Sequence, residues 1–358
     1  MKNKLLKFIP VLAIGVSLTA CTILSDLGIG GKGDITKFAK YKNQVTLTEF
    51  IDKMKNSVKD TDYVKDDYKL PDSKLIAGAK LEASQKLTNS NYSKETRNEA
   101  SIKASVSADA SYDKDNNSIK GKLEGSYSTS EKNAILGEAS NKYSTDLEGF
   151  FMPHGLNYYS LVDSNNETYY DFTMPEGFDL NASLSLGMTS IMRRFSELSL
   201  SEGITETEIE TQLAKYGLSL KYYYDSNVMT IVGDWDYTLD LGRTTHTYDS
   251  EMNPITTEDN YGKAEIKATL KLQFKVVKVV KIRFSAEGTM TVDYFKNHSS
   301  LYNEYYPLGL SGLAGDCEVG DQEVIKLKAE AGVNLEHEKV NHKLPDLSKY
   351  KDITPKLA

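Results

Sequence analysis

The chain of 358 residues is poor in cysteine, with only Cys21 and Cys317, and it holds one tryptophan and eight prolines. Two cysteines exclude a disulfide-stapled fold, and Cys317 stands between Asp316 and Glu318, neighbours that disfavour a thiolate and so a reactive nucleophile. Positive charge is also short. A formal net charge of -8 repels polyanions and excludes nucleic acid as a natural partner. No apolar run is long enough for a membrane-spanning helix; the longest, Phe8 to Leu18, falls well below the ~20 residues required.

Convincing catalytic or cofactor signatures are missing too. His337-Glu338-Lys339-Val340-Asn341-His342 places its second histidine one residue too late to share a helix face with the first. Gly309-Leu310-Ser311-Gly312 has Leu313 where a nucleophile elbow needs glycine. The glycines from Gly28 to Gly33 lack both a preceding strand and the lysine spacing of a phosphate loop. Asp113, Asp115, Asn117 and Glu124 match four positions of a calcium loop, but Ser118 occupies the glycine position and no helices flank it, which favours a hairpin turn. The expectation is therefore no enzyme, no cofactor and no metal.

What is present begins with Lys2, Lys4 and Lys7, followed by the apolar run and then Leu18-Thr19-Ala20-Cys21. This pattern resembles the bacterial lipoprotein signal, the lipobox. The resemblance implies cleavage of residues 1–20 as a signal peptide and acylation of Cys21 by diacylglycerol, with two acyl chains such as palmitate. It also implies a lipid-anchored place on the extracytoplasmic face of the cell membrane, in the cell envelope. Two acyl chains anchor stably where one binds reversibly. With Cys21 so consumed no intramolecular disulfide remains, and loss of the three lysines takes the formal charge to about -11.

Residues 21–40, rich in glycine, read as a flexible tether. Residues 41–345 read as one domain and 346–358 as a loosely held tail. Thr46 to Glu49 forms a capping box ahead of Leu47, Phe50, Ile51, Met54 and Val58 at helical spacing. Strict alternation then predicts strands through Leu75 to Ala83, Ile102 to Tyr112 and Ile119 to Tyr127, with shorter strands to Thr173. Met188, Ile191, Met192, Phe195 and Leu198 resume helical spacing, and a second capping box, Thr205 to Glu208, opens a helix that Gly217 ends. Alternation returns from Leu218 to Leu241 and, after a polar loop over 242–262, in three further runs ending at Leu335.

Because the strands carry one apolar and one polar face, the expected fold is α+β: a single curved antiparallel sheet with amphipathic helices packed on its concave face. The inner face is built from small residues such as Ala79, Ala104, Gly121, Ala268, Gly288 and Ala329, so either the helices pack very close or a cavity remains under them. Helix, meander, two central helices and second run of strands, all behind a lipidated cysteine, resemble the half-barrel carriers of the LolA and LppX/LprG type. That resemblance implies a membrane-anchored monomer that binds or carries a lipid or other hydrophobic ligand. Met188, Ile191, Met192, Phe195, Trp235, Phe274 and Phe284 would line the cavity, and the loop from His298 to Gly320 would serve as lid or membrane-facing lip. The rival reading is a protein- or glycan-interaction module without a cavity, using Tyr158-Tyr159, Tyr169-Tyr170 and Tyr222 to Tyr224.

Overall fold

The computed structural model describes residues 37–89, 95–133, 137–199, 205–277, 279–295 and 320–355. Cys21, the signal segment, most of the tether, Cys317 and the segment 298–319 lie outside the described residues. In chain order the elements are β1 (Gln44–Val45), α1 (Leu47–Lys59), β2 (Ser73–Asn89), β3 (Glu95–Asp113), β4 (Ser118–Asn133), β5 (Gly137–Pro153), β6 (Tyr158–Asp163) and β7 (Thr168–Thr173). There follow α2 (Leu180–Ser196), α3 (Glu206–Ala214), β8 (Leu218–Asp225), β9 (Val228–Tyr248), β10 (Pro254–Val276), β11 (Val280–Tyr294), β12 (Asp321–His337) and β13 (Lys351–Asp352).

All thirteen strands form one sheet in the order β1-β8-β9-β10-β11-β12-β2-β3-β4-β5-β6-β7-β13. Every pairing is antiparallel except the parallel β13–β7 contact. The outermost strands β1 and β13 have two residues each, but β8 covers β9 only from Val228 to Trp235 and β6 covers β5 only from Gly149 to Pro153, so the remainder of β9 and of β5 is sheet edge among the described residues.

The expected α+β half-barrel with helices over its concave face is not what forms. The protein is mostly β, and its three described α-helices gather at one end of the sheet. Length explains the difference: β10 has 23 residues and reaches roughly 75 Å, whereas α2 has 17 and reaches roughly 25 Å. Alternation revealed the strands but not that they outrun any helix laid beside them. The polar stretch 242–262, read as a loop, is mostly ladder: β9 and β10 stay paired from Gly242 with Asn260 to Tyr248 with Pro254. Its threonine-rich sequence is β-branched without apolar alternation, so periodicity passed over it.

Both capping boxes form. Thr46 Oγ1 accepts from the Glu49 N–H and Glu49 Oε2 accepts from the Thr46 N–H, each at 3.2 Å. Thr205 and Glu208 repeat the arrangement at the start of α3. Glu206 Oε1 accepts from the Leu47 N–H at 2.8 Å, which ties the ends of α1 and α3 together. Leu47, Phe50, Ile51 and Met54 are buried against Tyr222, Met229 and Phe274 of the sheet. Val58 and Met192 meet Val276, Val280 and Leu335, and Leu180 meets Ala108, Ala110 and Tyr112.

After α3 the chain turns at Gly217, whose φ is +70°. A Cβ there would stand 2.0 Å from the Asp236 carbonyl oxygen, so position and conformation both require glycine. Gly217→Ala is expected to cost about 3 kcal/mol, combining left-handed strain with a backbone clash. Urea denaturation checks it through a lowered midpoint at unchanged slope.

Beyond β12 the chain crosses to the polar face. His342 sits between Ser111 Oγ and Ser118 Oγ, each 2.8 Å from a ring nitrogen, and its ring meets Phe150 edge to face. Leu347 and Tyr350 then pack on Phe150, Met152 and Val162 before β13 adds to β7. Residues 346–355, read from sequence as part of a loose tail, are thus a strap. Its anchors are scattered apolar and polar residues without periodicity, which is why pattern reading took it for coil.

Candidate functional site

The helices cover one end of the sheet's apolar face, and Leu87, Leu241, Ala264, Val292 and Tyr294 are buried at the other; the stretch between them is the open part. Cross-strand partners place Leu270, Ala286, Ala329 and Leu81 side by side in one row, and Trp235, Ala268, Gly288, Leu327 and Ala83 in the next. Leu81, Leu239, Leu270, Leu327 and Trp235 are 36–41% exposed on this face, unusual for large side chains on the inner side of a sheet. Ala79, Ala331, Ala329, Ala286, Gly288 and Ala268 step diagonally across four strands between them. They make a shallow trough roughly 20 Å long from strand spacing and rise. Leu81 and Leu327 flank it on one side, Phe284 and Leu270 on the other. The floor is close-set: a Cβ on Gly288 would stand 2.8 Å from the Ala268 Cβ.

At the helix end an open cleft of about 1020 Å³ lies between the segment 60–71, the β10–β11 turn and the end of β12. Tyr63, Tyr68, Val276 and Val279 form its apolar parts, and Asp60, Asp62, Asp67 and Glu336 its acidic rim. Ser73 Oγ donates to the Pro71 carbonyl at 2.7 Å, so it accepts from His337 Nδ1 at 2.9 Å. His337 Nε2 is then an acceptor for the Tyr63 hydroxyl at 3.0 Å. Burial holds the His337 pKa below its ordinary value. Burial, with the Asp62 charge second, pushes Tyr63 up to about 12. The ring is neutral and engaged at both nitrogens, which suits a structural role.

At the far end the alternation runs on into Glu323, fully buried on the same face. Its carboxylate accepts from Gln85 Nε2 and, at 2.8 Å, from the Tyr294 hydroxyl. A carboxylate in an apolar register position was visible in the sequence, but an apolar run ending in glutamate reads as a strand end.

The residues expected to line a cavity divide. Met192 and Phe274 are buried, Met188 and Phe195 pack against the buried core, and the Phe195 ring stacks on Phe274 with centroids 6.2 Å apart. Ile191 is half-buried on α2. Phe284 and Trp235 belong to the open face, and Trp235 Nε1 donates to the Tyr216 carbonyl at 2.8 Å. Leu81, Leu270 and Leu327 were not singled out from sequence; their signal was being the large residues among alanines and glycines on that face. Among the tyrosine pairs, Tyr159 and Tyr222 are core residues and Tyr158 is exposed.

His337 and His342 lie on opposite faces of the sheet, so they do not share a site. The Asp113 carboxylate accepts from the N–H groups of Asp115, Asn116 and His342 and from Asn116 Nδ2. Those four donors make the stretch a hairpin turn. Among the described residues no group of three or more His, Cys, Asp or Glu is placed to hold a metal ion, and no described helix is long and apolar enough to cross a membrane.

No protein-family model matches the chain, and no curated protein does. Among solved structures, the outer membrane protease OmpT from Escherichia coli is 7% identical, with a TM-score of 0.17 over 75% of this chain and 97% of that one. The secretin InvG of the Salmonella SPI-1 type III secretion injectisome is 10% identical, with a TM-score of 0.12 over 79% of this chain and 69% of the other.

Proposed function

We propose that the chain is a membrane-anchored extracytoplasmic lipoprotein that holds a lipid or other elongated apolar ligand against the open face of its sheet. The observation that carries this reading is the alanine and glycine trough flanked by Leu81, Leu327, Leu270 and Phe284, with the three leucines 39–41% exposed and Phe284 half-buried. Exposed contiguous apolar surface of this kind marks a binding site. An acyl chain covering about 300 Å² of it would gain about 7 kcal/mol before the costs of association. The role is binding rather than catalysis: the buried histidines and Asp113 spend their polar atoms inside the fold. A second reading, a protein-interaction face, is favoured by a different pair, Tyr127 and Tyr143, which lie opposite each other on β4 and β5 and are both exposed.

Two measurements test the proposal. Intact-mass analysis of membrane-extracted protein should show a chain starting at Cys21 with acyl additions, and Cys21→Ser should abolish both the additions and membrane partition. Native mass spectrometry of gently purified protein should then recover an apolar molecule in a defined stoichiometry. An unmodified soluble chain overturns the anchor, and repeated recovery of empty protein overturns the cargo.

A further inference from the structure

The described chain starts at Lys37, and its first residues are pinned to the helix end of the sheet. The Ala39 N–H donates to Gln273 Oε1 at 2.8 Å, and Gln273 Nε2 donates back to the Ala39 carbonyl at 3.0 Å. The Lys42 and Asn43 N–H groups donate to Asp225 Oδ2 in the β8–β9 turn, and the Tyr41 ring packs on Tyr223 at 4.9 Å. Two residues past Gln273 begins the stretch Lys275-Val276-Val277-Lys278-Val279-Val280-Lys281, in which β10 ends and β11 begins. Val276 and Val280 are buried under the helices, whereas Val277 is 38% exposed. Two basic segments with apolar residues between their lysines, 37–42 and 275–281, therefore adjoin through Gln273.

Lys37, Lys40 and Lys42 are exposed, and neither they nor Lys275 have an ion-pair partner among the described residues. Of the carboxylates nearby, two are paired with lysines and a third is turned onto neutral donors. Asp225 holds backbone N–H groups and Asn43 Nδ2, Glu336 pairs with Lys281 at 2.5 Å, and Asp62 pairs with Lys65. Asp60 and Asp67 face the neighbouring cleft.

We propose that this end of the molecule docks on a bilayer bearing acidic phospholipids, with Lys37, Lys40, Lys42 and Lys275 on the phosphates and Val277 and Phe38 at the headgroup boundary. The inference rests on Cys21 as the anchor. About 16 residues of glycine-rich tether then separate the anchor from Lys37, a root-mean-square reach of roughly 20 Å. The sheet is several times longer, so the tether holds the Lys37 end near the bilayer and the β9–β10 hairpin tip away from it. Each lysine at an acidic surface strengthens binding roughly 5-fold. Hydrophobic attachment by the acyl chains supplies the rest.

The experiment uses the mature lipidated protein in nanodiscs of phosphatidylglycerol carrying a nitroxide-labelled lipid, in a Cys317→Ser background. A fluorophore is attached at Val277→Cys or, as the distal control, at Met252→Cys in the β9–β10 tip. Strong quenching at position 277 and little at position 252 is the expected result. Phosphatidylcholine discs, or the combined substitutions Lys37→Glu, Lys40→Glu and Lys42→Glu, should reduce quenching at 277 several-fold. Protein that stays with the discs but is quenched equally at both positions, or more at 252, overturns the docking while leaving the anchor intact. Protein that does not stay with the discs overturns the anchor, and the docking with it.

Discussion

Asp113→Ala should cost about 4 kcal/mol and release the C-terminal strap. The Asp113 side chain is 1% exposed and gathers four N–H donors, three from its own turn and one, at 2.7 Å, from His342 in the strap. Hydrogen bonds to a charged acceptor contribute about 1.5–3 kcal/mol each, and a donor left unsatisfied in a buried place costs a similar amount. Asp115 and Asn116 recover water through the exposed turn, so the loss concentrates at His342. Without that bond the His342 ring between Ser111 and Ser118, and the packing of Leu347 and Tyr350 on Phe150, lose their fixed starting point. Urea titration should show the midpoint falling, and limited proteolysis should cut between His342 and Leu347 long before the sheet opens.

The same carboxylate sets an acid limit. Burial pushes its pKa up, but the N–H of His342 and then the side-chain and backbone donors of Asn116 and Asp115 outweigh it and hold the value at about 2. A folded pKa below the unfolded value of about 3.9 means that the contribution is whole above pH ~4. It is lost as pH falls towards 2. The stability gap between the natural chain and Asp113→Asn should therefore narrow steadily across that interval, and a constant gap would show that the charge is not what the turn uses.

Local signals carried furthest where a residue's role is decided within a few neighbours. Thr46 and Thr205 cap helices because an oxygen three residues before an amide is all that the cap needs, and Gly217 turns the chain where its positive φ favours glycine and a Cβ would strike the Asp236 carbonyl oxygen. Alternation likewise located the apolar faces of β2, β3, β11 and β12. It could not disclose how strands associate along their length. Each row of the sheet is a register, and only the register puts Leu81 beside Ala329 and Leu327 beside Gly288. The half-barrel expectation failed for that reason: three short helices were matched to strands whose full extent, including the threonine-rich part of β9 and β10, carries no apolar period. Met192 and Phe274 have the size and type of cavity-lining residues, yet they sit under the helices as core. The bare part of the face was legible only as an excess of small residues.

Leu81→Asp combined with Leu327→Asp should weaken acyl-chain binding about 100-fold while changing stability by less than ~1 kcal/mol. The two leucines stand on adjacent strands, β2 and β12, on the same side of the trough floor. Both are about two-fifths exposed, so folding gains little from them. A ligand lying on Ala329 and Gly288 would have to bury the new carboxylates against its methylenes, a desolvation cost of about 3 kcal/mol or more. Ala329→Phe attacks the same site without charge. It fills the floor between Leu81 and Ala286, and its effect should match the double aspartate variant if shape and apolarity act together. Lys326→Asp, one residue from Leu327 but on the polar face, controls for added negative charge. Displacement of a dansyl-labelled fatty acid, measured with urea midpoints on the same samples, gives both numbers. Undiminished fatty-acid affinity in both trough variants would move the ligand off this face, whereas a lost midpoint would show that the leucines belong to the core.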